Sequence, residues 1–143
     1  MGWLSRGLTG ALLGCLLGCG GLSTQGARYL KQSEPYQRQL PQFQQQLKQS
    51  SQLPPEQRVK SIQQLLLQVQ TQHQQLQQLT PPKSVQAVHA ELDTLYTTME
   101  EFLKACLAGT GDLSDPKVKK LAGQWAEHLD KLQIELQKLE TGR

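Results

Sequence analysis

Three stretches of this chain carry apolar residues at gaps that alternate between three and four, and pairs of chain breakers separate them. Val59, Ile62, Leu66, Val69, His73 and Leu76 form the first series. Val85, Val88, Leu92, Leu95, Met99, Phe102 and Cys106 form the second, and Val118, Leu121, Trp125, Leu129, Leu132, Leu136 and Leu139 the third. Such spacing draws one apolar stripe down one side of an α-helix and is incompatible with the period of two that a strand requires. Pro54-Pro55, Pro81-Pro82 and Gly109-Thr-Gly111-Asp punctuate the chain, and residues of this kind end helices or turn the backbone. A helix that buries one stripe needs a partner. Strict alternation favours shallow antiparallel crossings joined by short loops. The expected fold is all-α: a three- or four-helix antiparallel bundle, preceded by a helical N-terminal signal segment.

The expected helices span about 28–50, 55–79, 83–108 and 116–140. Asp115 is placed to cap the last of these, with Pro116 at the first helical position, where its missing N–H costs nothing. Thr80 before Pro81 offers a similar start. The first helix keeps the period through Tyr36, Leu40, Phe43 and Leu47, but Pro41 interrupts it. An interior proline removes one backbone bond and clashes with the preceding turn, at about 3 kcal/mol. Either a kink at Pro41 or a helix that begins there is expected, and this decides between three helices and four.

Charge is sparse and uneven. Only 19% of the 143 residues are charged and the net charge is +3, too little to argue for nucleic acid as a partner. From Gly20 to Ala90 seven Lys or Arg face two acidic residues, whereas from Glu91 onward seven face ten. The two halves then present differently solvated faces, or the basic half lies against an anionic membrane surface. Glutamine fills the polar positions between Gln25 and Gln86, punctuated by Leu and Val at helical spacing. These stretches are therefore expected to be solvated helix faces, with self-association eased by their low charge.

The chain opens with one basic residue, Arg6, an apolar run of about ten residues from Leu8, and then small residues, which is the physical plan of a secretory signal. The stretch Leu8–Leu22 is shorter than the ~20 apolar residues a spanning helix needs and is interrupted by glycines. Leu16-Leu17-Gly18-Cys19 resembles the bacterial lipobox, and Leu12-Leu13-Gly14-Cys15 repeats the pattern. The resemblance implies that diacylglycerol and a fatty acyl chain are joined covalently to Cys19, with Cys15 as the alternative, and that cleavage makes this cysteine the new N-terminus. Cys19 is preferred because cleavage before Cys15 would leave an apolar core of only about seven residues. Met1-Gly2 lacks the Ser or Thr at position 6 that myristoylation wants. The organisation implied is a signal peptide at 1–18, a lipid-anchored flexible tether at 19–27 and a helical bundle at 28–143. The protein would then sit at the bacterial cell envelope, its anchor in the membrane, facing the periplasm or the exterior.

Chemistry-bearing residues in the bundle are few. No nucleophile with a base, glycine-rich phosphate loop or zinc-protease spacing occurs, so no catalysis is expected. Glu91, Asp93, Glu100 and Glu101 fall on the polar side of the third helix and read as a solvated face. Cys106 lies on an apolar stripe and reads as a small buried hydrophobe, with a disulfide-linked dimer as the alternative. His73, His89 and His128 are the candidate metal or haem ligands, since imidazole suits Zn, Cu, Ni and haem iron. An antiparallel turn near Pro81 sets His73 level with His89, and a turn near Gly111 sets His128 opposite about residue 94. All three would then meet near mid-bundle.

Two further resemblances rest on short segments. Leu53-Pro-Pro-Glu-Gln57 and Leu79-Thr80-Pro81 are similar to the Leu-Thr-x-x-Gln motif of Spy-type periplasmic chaperones, which implies a helical holdase that binds unfolded clients. The segment from Leu79 to His89 is similar to helix starts in small bacterial lipoproteins of unknown function, which implies a bundle and no particular activity. The expected role is therefore a lipid-anchored structural or protein-interaction bundle with no cofactor beyond its acyl groups. Its partner would be an unidentified protein or a second copy, and Leu65, Leu67 and Tyr96 are the candidate contact residues, with membership of the core as the equal alternative. A small metal- or haem-binding bundle and a holdase are the alternatives.

Overall fold

The computed structural model describes residues 23–109 and 112–142. The segment expected to be a signal peptide, with Cys15 and the lipidation candidate Cys19, and the first residues of the expected tether lie outside them. Four α-helices follow one another: α1 Thr24–Ser51, α2 Pro55–Gln77, α3 Gln86–Ala108 and α4 Pro116–Thr141, with a single 3₁₀ turn, Lys83–Val85, ahead of α3. The four-helix form of the expected bundle is the one observed. No described helix is long and apolar enough to cross a membrane.

Within the segment expected to be a tether, the described residues are helical from Thr24. Ser23 is the N-cap of α1 and its hydroxyl accepts the Gly26 N–H at 3.0 Å, satisfying one of the four donors that a helix start leaves unpaired. Thr24 to Ala27 are therefore helical, and Gly26 is buried. Helix α1 does not begin at Pro41 either, but runs through both Pro35 and Pro41. Burial explains why: Tyr29, Leu30, Leu40, Phe43 and Leu47 all enter the core, on both sides of the prolines. Each large apolar side chain fully buried contributes about 1.5–3 kcal/mol, so together they exceed what the two prolines cost.

At α4 the sequence signals hold. Asp115 Oδ1 accepts the Lys117 N–H at 2.7 Å with Pro116 at the first position. Gly142 closes the helix in the left-handed region at φ 69°, its N–H donated to the Lys138 carbonyl. The start expected at Thr80-Pro81 is displaced. The chain stays extended at Pro82, makes the 3₁₀ turn, and enters α3 only at Gln86.

Helix α3 is the middle of the molecule. It packs along α4 and along α2, and α1 packs along α2. Its buried set is accordingly wide, with Val88, Leu92, Leu95, Tyr96, Thr98, Met99, Phe102, Leu103 and Cys106 covering more than one stripe. In α4 a single stripe suffices: Val118, Leu121, Trp125, Leu129, Leu132 and Leu136 are buried, with Ala122 beside them. In α2 the buried line is Ile62, Leu65, Val69, His73 and Leu76. Leu65 thus replaces the expected Leu66, because α2 is flanked on two sides and its interior face is centred between them.

Candidate functional site

The polar chemistry of the bundle gathers where α1, α2 and α3 meet, around Tyr96. This residue, for which the sequence left surface contact and core open, is fully buried, as is Leu65 at 3% exposure. Both belong to the core because they point between helices on the flanks of their stripes. Of the three candidate contact residues only Leu67 is on the surface, at 65% exposure.

Tyr96 meets Phe43 edge-on at 5.6 Å and Tyr36 at 6.4 Å, both from α1, and stacks on the His73 ring of α2 at 5.9 Å. Its hydroxyl donates to the Tyr36 carbonyl at 2.9 Å, in the turn ahead of Pro41, and lies 3.2 Å from the Gln72 amide. A phenol has one proton to give, so the Gln72 amide completes the set when its NH₂ end faces the oxygen. Burial raises the Tyr96 pKa well above its ordinary value, with Tyr36 pushing the same way.

His73 lies between two carboxylates of α3. Its Nε2 is 2.7 Å from Asp93 Oδ1 and its Nδ1 is 3.1 Å from Glu100 Oε1. Gln77 Nε2 also donates to Asp93, at 3.3 Å. Each ring nitrogen thus faces a carboxylate of α3, so the arrangement is a two-sided clamp of α2 on α3. On α4, His128 Nδ1 sits 2.8 Å from Glu91 Oε2, giving α3 and α4 a similar clip. The acidic residues expected as a solvated face are corrected here: Glu91, Asp93 and Glu100 each take a histidine, and of the four only Glu101 is exposed.

His89 goes elsewhere. Its Nδ1 is 2.6 Å from the Tyr29 hydroxyl of α1, with the rings edge-on at 5.6 Å. Burial holds the His89 pKa below its ordinary value, partly opposed by Asp93, while burial raises that of Tyr29. Both shifts keep the proton on the phenol, which donates to a neutral imidazole. The three histidines are thus divided among Asp93 and Glu100, Tyr29, and Glu91. Among the described residues no group of three His, Cys, Asp or Glu side chains is arranged to hold a metal ion. The level count misplaced His73 because side chains in a helix lean toward its N-terminus. In an antiparallel pair one leans away from the turn and the other toward it, so His73 meets residues further along α3 than His89.

Cys106 is fully buried and its thiol is pushed up to about 12, mainly by desolvation. It stays protonated and shielded, which does not fit a disulfide-linked dimer of the folded chain. A groove of about 360 Å³ between α1 and α2 is lined by Gln46, Gln49, Gln64, Gln68, Ser50, Ser61, Leu53 and Leu65. The two serines bond each other at 2.5 Å. No titratable side chain lines the groove, so neither serine has a base there that would make it a nucleophile.

Compared with known proteins, the chain matches no family model, no curated protein and no solved structure.

Two consequences can be measured. His73→Leu leaves two carboxylates facing an apolar group and should lower stability by about 1–3 kcal/mol in urea titrations. Adding Asp93→Asn and Glu100→Gln should recover part of that loss, and no recovery would contradict the clamp. For His89 the sign follows from its lowered pKa. Below its ordinary value of 6.5 the unfolded chain takes up a proton that the folded chain resists. Stability is lost as pH falls from there toward the folded value and is retained above it. The stability advantage of the wild type over His89→Gln should therefore shrink between pH 7.5 and 5, as read by denaturant titration at each pH.

Proposed function

We propose that this protein is an envelope lipoprotein: a helical bundle held at a membrane by acyl chains on Cys19, acting as a structural or protein-binding element and not as a catalyst. The observation that carries this reading is the position of Leu16-Leu17-Gly18-Cys19. It lies behind a leader of signal-peptide plan and four residues ahead of Ser23, the cap of α1. Two or three acyl chains, each buried CH₂ contributing about 0.8 kcal/mol, give stable attachment where one chain would not.

The polar groups of the interior support a structural role. The histidines and their carboxylates join helices to one another, and the one groove described above brings together amides and hydroxyls without an acid or base. For a protein partner, the face of α2 around Leu67 is the best provided surface. It is exposed and charge-poor, with Gln63, Gln64, Thr71 and Gln74 about the leucine. A partner could cover it without stripping water from charges, which is the costly part of burying polar surface.

Radiolabelled palmitate fed to the native host should label the wild type and the Cys15→Ser chain but not Cys19→Ser. An unlabelled wild type would dispose of the lipoprotein reading. A photo-crosslinking residue at Leu67 should yield a discrete adduct in cells that the same residue at Gln133, exposed on α4, does not. Identical patterns at both positions would count against the α2 face.

A further inference from the structure

We infer that the end of the bundle formed by the start of α1 and the α2–α3 connection is a docking face for anionic phospholipid headgroups, with Arg28, Lys31 and Lys83 as its contacts. The inference rests on the lipoprotein reading and adds an orientation and a lipid preference to it.

Covalent geometry comes first. Three residues, Gly20 to Leu22, separate Cys19 from Ser23. Four peptide steps at about 3.3–3.6 Å each let α1 start no more than roughly 15 Å from the acylated cysteine. Only one end of the molecule meets that condition. Ser23 Oγ lies 3.4 Å from Ser84 Oγ, so the 3₁₀ turn that carries Lys83 sits beside the origin of α1. Arg28 and Lys31 are five and eight residues into α1, about 7.5 and 12 Å along its axis. Their side chains lean toward the helix N-terminus, which is the anchored end, and their long stems let the charged heads reach further that way.

The charges at this end are uncommitted. Arg28, Lys31 and Lys83 are exposed and make no ion pair or side-chain hydrogen bond among the described residues. The acids nearby are mostly taken: Glu34 pairs with Arg38 and Glu135 with Lys138, leaving Glu140 near the end of α4. The opposite end also carries exposed lysines, Lys48, Lys60, Lys104, Lys117, Lys119 and Lys120, interspersed with Glu56, Glu101, Asp112 and Asp115, but it lies a helix length, about 35 Å, from the anchored end. An anionic bilayer attracts each nearby Lys or Arg by roughly fivefold in local association, within a Debye length of about 8 Å. The anchor places one end in that layer, and at that end Arg28, Lys31 and Lys83 have no ion-pair partner to give up.

The test uses the full chain, isolated from membranes and reconstituted. With Cys19 acylated and Cys106 buried, Ser84→Cys supplies one reactive thiol for a fluorophore, and Ser114→Cys does the same at the far end. Quenching by headgroup-labelled lipid is compared in phosphatidylcholine vesicles with and without phosphatidylglycerol. The Ser84 probe should be quenched several-fold more when phosphatidylglycerol is present. The gain should vanish in high salt and in Arg28→Glu/Lys31→Glu/Lys83→Glu of unchanged helicity, and the Ser114 probe should respond to neither. Quenching at Ser84 that ignores lipid charge and the triple reversal, or stronger quenching at Ser114, would overturn the docking face alone. Intact mass of the same preparation reports the anchor: a chain without acyl mass would overturn both readings.

Discussion

The whole arrangement depends on α3 being buried along more than one flank. A helix with a single stripe can satisfy one neighbour, whereas α3 packs along α2, which Tyr96 touches through His73 and Gln72, and also along α4. Its wide apolar surface would be insoluble alone, and the other helices exist in their present positions because they cover it. This also explains where the polar interior lies. At the margins of the α3 surface carboxylates begin to appear, and Glu91, Asp93 and Glu100 find histidines on the neighbouring helices. Each of those pairs crosses from one helix to another, so they fix register as well as adding attraction. Partly buried polar contacts of this type contribute little net energy but penalise misalignment, since a shift leaves a carboxylate without its partner.

Helix α1 is held differently. Half of its buried positions are Gly26, Ser33, Gln37, Gln44 and Ser50. Gln37 donates to Ser33 Oγ at 3.1 Å, and Ser33 donates to the Leu30 carbonyl at 3.1 Å. The remaining grip comes from Tyr29, Leu40, Phe43 and Leu47, and from the aromatic meeting at Tyr96. The Tyr96 hydroxyl donates to a carbonyl in the turn where Pro41 disturbs the backbone ladder. One phenol thus connects the turn of α1 ahead of Pro41 to α3.

Much of this was legible in the sequence, and the division is physical. The stripes of α3 and α4 reappear residue for residue in the core, except that Leu139 is half-buried, because local periodicity alone decides which face of a helix is apolar. Asp115-Pro116 marked the start of α4 because a cap is also a local device. The first residue of α1, its continuity through Pro41, and the choice between surface and core for Leu65 and Tyr96 could not be decided in this way. Each depends on what lies across the helix interface. The histidine partners were hidden for the same reason. Asp93 and Glu100 lie seven apart on the edge of the α3 stripe, which was the available signal, but which histidine they meet depends on the lean of side chains across two helices.

The direction in which α1 enters the bundle has a mechanical meaning. A pull applied at residue 23 acts along the α1 axis, parallel to its interface with α2. The side chains of Leu40, Phe43 and Leu47, seated between helices, would then be strained together in shear, and none would be peeled off singly. Tension entering by this route is spread along the length of the contact, so a helix with a partly polar interior can still resist being drawn out.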